Sequence, residues 1–245
     1  LGLTSEFEGV IYDTASIASL HALAAARHAA VPDVGTNGLA GRSDLGPLTV
    51  YTSEHGHSSI DKAVMTLGLG HKALRKIPVD SDFRMRPDTL AAAVAQDRAN
   101  GGIPVAVVAT VGTTSMTSID PVPELANLCS NEGIWLHVDA AYAGAAALVP
   151  ETAFVMDGCE RADSLVVNPH KWLFTPFDLS AFYCRRMETV RAAFSLTPDY
   201  LQTPEAGQVK NLMDTGVQLG RRFRALKLWA VLRHFGTTGI RDRLA

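Results

Sequence analysis

Cysteine is scarce in this chain, with Cys129, Cys159 and Cys184 the only three among 245 residues. They are odd in number and far apart, which argues against a disulfide framework or a zinc-ribbon pattern. They fit a reducing compartment, so a cytoplasmic setting is expected. Excess charge is also missing: 22 basic against 25 acidic residues leave a formal charge of −3. That balance offers no electrostatic footprint for nucleic acid or an anionic membrane. No apolar run reaches the length of a membrane span, and no basic-then-apolar signal segment opens the chain. Repeats and low-complexity tracts are absent. The chain starts at Leu1 and stops within helical sequence at Arg241-Asp242-Arg243-Leu244-Ala245. The expectation is one domain over residues 1–245, taken from a longer protein.

What is present suits an enzyme core. Apolar residues make up 47% and charged residues 19%, enough to bury one large core. Helical and strand patterns alternate. Helices are expected at 16–30, 58–67, 87–99 and from Asp120-Pro121 to about Asn131, with a further one opened by Gly220-Arg221-Arg222-Phe223-Arg224. The basic run in that last segment reads as a solvated or interface face. Strands are expected at 48–52, 73–79, 105–110, 134–139, 165–167 and 179–184, and 32–46 reads as a Gly-containing loop. The continuous apolar run Val105-Ala106-Val107-Val108-Ala109 marks a strand buried on both faces of a parallel sheet. Strands separated by helices imply right-handed crossovers and a mainly parallel sheet covered on both sides, a three-layer α/β/α fold.

In such sheets ligands bind beyond the carboxyl ends of the strands. Thr113-Thr114, Asp139 and Lys171 all fall just past such ends. Lys171 lies in Asn168-Pro169-His170-Lys171-Trp172, where Asn-Pro terminates an apolar strand. That setting is expected to desolvate the lysine and favour a nucleophilic neutral amine. Asp139, in His137-Val138-Asp139-Ala140-Ala141-Tyr142, is a costly strand-end acid unless it meets a cation, caps a helix or binds a metal. His57, in Glu54-His55-Gly56-His57, sits where a strand turns into a helix. With His55 it could start a metal site, but no Cys/His cluster completes four ligands, so no metal is expected. Thr14-Ala15-Ser16 precedes a long helix and reads equally as an ordinary N-cap or as an anion site. Residues 202–211 carry Pro, Gly and polar residues without clear periodicity and read as a lid loop following Tyr200.

The Asn-Pro-His-Lys-Trp pentapeptide resembles the cofactor-lysine motif of the group II pyridoxal-phosphate decarboxylases, the family of aromatic L-amino acid decarboxylase. The resemblance runs from Gly9 to about Arg243 and is densest from Thr110 to Asp178. It implies the large cofactor-binding domain of the aspartate aminotransferase-like fold, with pyridoxal 5'-phosphate held covalently on Lys171. It further implies that Asp139 faces the pyridine nitrogen and that His57 and Ala141 lie on the two faces of the ring. Ala15, Ser16 and Asn168 would hold the phosphate, Thr114 would lie near the cofactor and Asp139, and His170 would contact phosphate or substrate. Tyr200 would protonate the substrate carbon after carbon dioxide leaves. One departure stands out: many relatives carry an acid after the serine, where this chain has Ile17.

The implied reaction is decarboxylation of an L-amino acid, most like the aromatic branch, to an amine. Alternatives are an aldehyde synthase, a histidine or glutamate decarboxylase, or another enzyme of the same fold such as an aminotransferase. The resemblance also implies a homodimer with active sites at the interface, a small-molecule substrate, and no nucleic-acid or membrane partner.

Overall fold

The computed structural model describes residues 1–196 and 211–245. Short apolar runs pair into one sheet. Its strands are β1 (Glu8–Tyr12), β2 (Leu48–Ser53), β3 (Leu74–Ile77), β4 (Ile103–Thr110), β5 (Trp135–Asp139), β6 (Ser164–Val167) and β7 (Ser180–Cys184), in the spatial order β1-β7-β6-β5-β4-β2-β3. From β6 to β3 every neighbouring pair is parallel, whereas β7 runs antiparallel to both β6 and β1. Two reversals restore direction, so β1 points the same way as β6. The central strands β4, β5 and β6 are buried almost throughout, as expected where both faces are covered.

Helices cover the two faces. α1 (Ala15–Ala30), α3 (Ser58–Thr66) and α7 (Met187–Phe194) pack on one side around Leu23, Ile60, Val64 and Phe182. On the other lie α4 (Pro87–Ala99), α5 (Val122–Glu132) and part of α8 (Ala225–Leu244), around Leu90, Leu125 and Leu136. Two four-residue helices, α2 (Val34–Asn37) and α6 (Pro169–Trp172), complete the described α-helices, and short 3-10 turns such as Ala143–Leu148 join the elements. α1 presents Ala18, Ala22, Ala25 and Ala26, all buried. Small side chains let its axis lie close to the sheet. Thr14 caps its start, accepting a hydrogen bond from Ile17 N, while Arg27 and His28 in the last turn suit the negative end of its dipole.

The three-layer, mainly parallel arrangement agrees with the sequence reading, and several elements refine it. β1 and α7 were not anticipated, and α2 interrupts the loop expected over 32–46. The strand expected over 73–79 contracts to β3, and α5 begins at Val122. Asp120 does not cap that helix. Its carboxylate instead accepts from Met85 N at 2.7 Å and Thr110 N at 2.8 Å, tying the end of β4 to the chain before α4. Among the described residues, no helix is long and apolar enough to cross a membrane.

Candidate active site

The parallel strands deliver their carboxyl ends to one edge of the sheet. β1 leads into Thr14 and the start of α1, β2 into His57, β4 into Gly112 and Thr114, β5 ends at Asp139, and β6 leads into Asn168 and α6. These residues line one cavity of about 210 Å³, together with Ala15, Ser16, Ser59, Thr110, Ala141, Tyr142, His170, Lys171 and Phe177. A larger, mostly apolar cavity of about 470 Å³ lies beside β1 and β7, and none of the chemistry-bearing residues expected from the sequence lines it. The smaller cavity is therefore the candidate site.

Asp139 is buried and accepts one hydrogen bond, from Ala141 N at 3.1 Å. No hydrogen bond from a described residue reaches its other oxygen. Burial pushes its carboxyl above the ordinary range, opposed by that amide and by the charges of Lys171 and His57. A buried carboxylate with so few donors is set up to meet a cationic N–H inside the cavity.

Lys171 projects from α6 and is exposed, with its Nζ 5.8 Å from the centre of the Tyr142 ring. This corrects the expectation of a desolvated lysine. The apolar run ends at Val167, and the helical turn that follows carries the side chain out of the strand's burial. Its amine faces an open cavity instead.

His57 caps α3 through its ring. Nδ1 accepts from Ser59 N at 3.2 Å and lies 2.9 Å from Ser59 Oγ, so in the neutral ring the proton sits on Nε2. His170 is set the same way: Leu179 N donates to its Nδ1 at 2.9 Å, and its ring packs on Phe177 with centroids 4.7 Å apart. Burial, with the Lys171 charge beside it, lowers the His170 pKa. A neutral His170 therefore keeps an Nε2–H donor.

Asn168 accepts from Ser180 Oγ at 2.6 Å through Oδ1, which leaves its Nδ2 donors without a described partner. The start of α1 adds the free N–H groups and favourable dipole of a helix N-terminus, bordered by the Ser16 hydroxyl. Thr14 is thus both the N-cap and part of the cavity wall. Gly112 has φ +85°, and a Cβ there would lie 2.6 Å from that of Ala143, so the β4 turn can approach the segment after β5 only as glycine. Thr113 is turned away, its hydroxyl 2.8 Å from that of Ser118, and Thr114 faces the cavity.

The cavity gathers Ala15, Ser16, His57, Thr114, Asp139, Ala141, Asn168, His170 and Lys171. Tyr200 lies outside the described residues. Thr110, Ser59, Tyr142 and Phe177 also line the cavity and were not singled out from sequence. Ser59 has a readable signal, being the hydroxyl two residues after the His57 cap. Phe177 has none, lying in a segment without periodicity. No group of His, Cys, Asp and Glu among the described residues could hold a metal ion. The donor set does fit pyridoxal phosphate. It combines an exposed amine, a buried under-bonded carboxylate, and an anion-favouring helix start beside a free amide.

Known proteins agree with that chemistry. The model of the pyridoxal-dependent decarboxylase conserved domain matches residues 2–244. The aromatic-L-amino-acid decarboxylase of Mus musculus is 41% identical over 98% of this chain and 50% of its own length. The phenylacetaldehyde synthase of Arabidopsis thaliana is 40% identical over 96% of this chain and 47% of its own. Among solved structures, Oryza sativa TDC with PLP and tryptamine superposes with a TM-score of 0.89 at 39% identity, covering 97% of this chain and 49% of that one. The chain thus spans about half the length of the relatives it matches.

Proposed function

Because this chain belongs to the pyridoxal-dependent decarboxylase family, we propose that its cavity binds pyridoxal phosphate and that the intact protein decarboxylates an L-amino acid, most like an aromatic one. The observation that carries this reading is the meeting of Lys171, Asp139, His57 and Asn168, from three strand ends, in one cavity. The chemistry supplied by bound pyridoxal phosphate is that of an electron sink for the pair left when a carboxylate departs as carbon dioxide.

The chain's own residues have the following tasks. Lys171 would hold the cofactor through its amine, which faces the cavity. Asp139 keeps a proton on the pyridine nitrogen, which its burial makes effective because the charge pair is little screened. Ala141 and His57 confine the ring, and the small Ala141 side chain leaves room for a flat group. Ser16, Ala15 and Asn168 bind the phosphate through N–H and O–H donors, and Thr114 and His170 border the reacting groups. Tyr200 supplies the proton that completes the amine.

The choice of aromatic substrate is supported by the mouse relative and by the rice protein solved with tryptamine. A second reading, release of an aldehyde, is supported by the Arabidopsis relative at nearly the same identity. Assembly as a homodimer belongs to the same proposal. Phe177 at the cavity rim and Phe223, Leu226 and Trp229 near and along α8 are exposed apolar groups that a partner would cover. A cytoplasmic setting is supported by three free, buried cysteines.

A panel of L-amino acids offered to the cofactor-saturated intact protein, scoring carbon dioxide, amine and aldehyde, tests the reading. Carbon dioxide release from aromatic substrates is expected, and no release from any amino acid would overturn it.

A further inference from the structure

Behind the cavity wall, on the face of the sheet that α1 covers, four buried polar side chains join end to end. Trp135 Nε1 donates to Ser164 Oγ at 2.9 Å. His137 Nδ1 lies 2.9 Å from the same oxygen, and His137 Nε2 lies 3.0 Å from Ser19 Oγ. Ser19, His137 and Ser164 have no exposed surface. One imidazole thereby bonds three elements: β5 by its own backbone, β6 through Ser164 and α1 through Ser19.

Each of those elements reaches the cavity within a few residues. Ser16 lies about one helical turn before Ser19. Asp139 is two residues after His137 and so on the same face of β5. Asn168 follows the end of β6. Among the described residues, Ser19 to His137 is the only side-chain hydrogen bond between α1 and the sheet. The rest of that contact is the His21 ring, edge-on to Tyr12 of β1, and the packing of Ala18, Ala22, Leu23, Ala25 and Ala26, and apolar packing is non-directional. It resists separation far more than it resists sliding along the axis. A directional bond is what sets the axial position of the helix. Burial supports the same role, since it pushes the His137 pKa down to about 3. The ring therefore stays neutral, with one nitrogen donating and the other accepting.

The geometry points to His137 as a positioning residue for the cofactor site, holding α1 through Ser19 so that Thr14, Ala15 and Ser16 stand in register with Asp139 and Asn168. This rests on the reading of the cavity as a pyridoxal phosphate site. It predicts a defect at the phosphate end of the cofactor in particular.

Glutamine and asparagine divide the ring: Gln extends as far as Nε2 and Asn only as far as Nδ1. The test titrates the intact apoprotein with pyridoxal phosphate and, separately, with phosphate-free pyridoxal. It compares wild type, His137→Gln, His137→Asn and Ser19→Ala, with thermal melting of each apoprotein alongside. Ser19→Ala and His137→Asn should weaken pyridoxal phosphate roughly tenfold, the scale of one lost hydrogen bond. They should weaken pyridoxal much less, and His137→Gln should stay near wild type. Should a His137 variant not fold, Ser19→Ala decides alone, since alanine suits a helix interior. Equal losses for both ligands, or losses that follow melting temperature whichever nitrogen is kept, would overturn the role. A wild type that binds no pyridoxal phosphate would overturn the reading of the cavity itself, and this role with it, before any variant is compared.

Discussion

Ser180 Oγ donates a 2.6 Å hydrogen bond to Asn168 Oδ1, and that bond decides which half of the amide faces the cavity. Because β7 runs antiparallel to its neighbours, its first residue lies at the edge where the parallel strands end. The reversed strand thus supports the site from beneath. Removing the hydroxyl in Ser180→Ala frees the amide to rotate and leaves a buried acceptor unpaired, at about 1–3 kcal/mol. Pyridoxal phosphate affinity should fall several-fold in a spectroscopic titration. Asn168→Asp should fall further, because it sets a charge of the same sign against the phosphate. Unchanged affinity in both variants would remove Asn168 from the phosphate site.

Lys171 is the amine expected to carry the cofactor. Borohydride reduction of the cofactor-loaded protein, followed by peptide mapping, should place the label on Lys171, and Lys171→Ala should lose it while keeping the fold. The side chain is exposed to the cavity, so its removal leaves no buried void and stability should change little. Label on Lys62, Lys72 or Lys76 would assign the chemistry elsewhere.

The strand ends that build the cavity were legible because each couples a buried apolar run to an abrupt polar turn. Val105–Thr110 leads to Gly112 and Thr114, Ile134–Val138 to Asp139, and Leu165–Val167 to Asn168. β1 was not, since Glu8-Gly9-Val10-Ile11-Tyr12 is short, contains glycine and finds its partner only in Glu8 to Cys184 pairing across most of the chain. The exposure of Lys171 was misjudged for a related reason. Burial of a strand does not extend to the turn after it, and sequence alone does not say which way that turn faces. The cavity's Phe177 depends on tertiary placement and left no local pattern.

Asp139 offers a test in which charge changes at nearly constant shape. Asp139→Asn removes the anion that would hold a proton on the pyridine nitrogen. Turnover should drop roughly 10²-fold or more, with a much smaller effect on cofactor affinity. The apoprotein should be no less stable, because the variant removes a buried carboxyl whose pKa burial has raised. Wild-type turnover in this variant would make the carboxylate structural only.

On the proposed reading, Tyr200 selects between amine and aldehyde as the product. Tyr200→Phe keeps the ring and removes the proton donor. In air, carbon dioxide release should persist while amine yield falls, and aldehyde, ammonia and hydrogen peroxide should appear as dissolved oxygen accepts the two electrons. Measuring carbon dioxide and amine in one assay settles the point, and a one-to-one ratio retained by the Phe variant would take the role from Tyr200.

His21 makes stability depend on pH in a way that one substitution isolates. Its ring is fully buried between Tyr12 and Phe194, at centroid distances of 4.5 and 4.8 Å, and its Nε2 accepts from Val217 N at 3.3 Å. Burial first, and Arg221 second, lower its pKa to about 4 from the usual 6.5. Between those values the unfolded chain binds a proton that the native ring refuses. The stabilisation is therefore complete above the unfolded value and is lost as pH falls toward the folded one, at up to about 1.4 kcal/mol per pH unit. Asp120 acts oppositely in part of the same window, because burial raises its carboxyl to about 6 and the native state then holds the extra proton. The wild-type curve alone mixes these effects, and His137 adds a term of the same sign as His21. The difference between wild type and His21→Gln does not mix them, since Gln keeps an acceptor near the Nε2 position and cannot be protonated. Denaturant unfolding from about pH 4.5 to 6.5 should give a flatter stability curve for the variant as pH falls. Parallel curves would mean that His21 stays protonated, or stays accessible to water, in the folded protein.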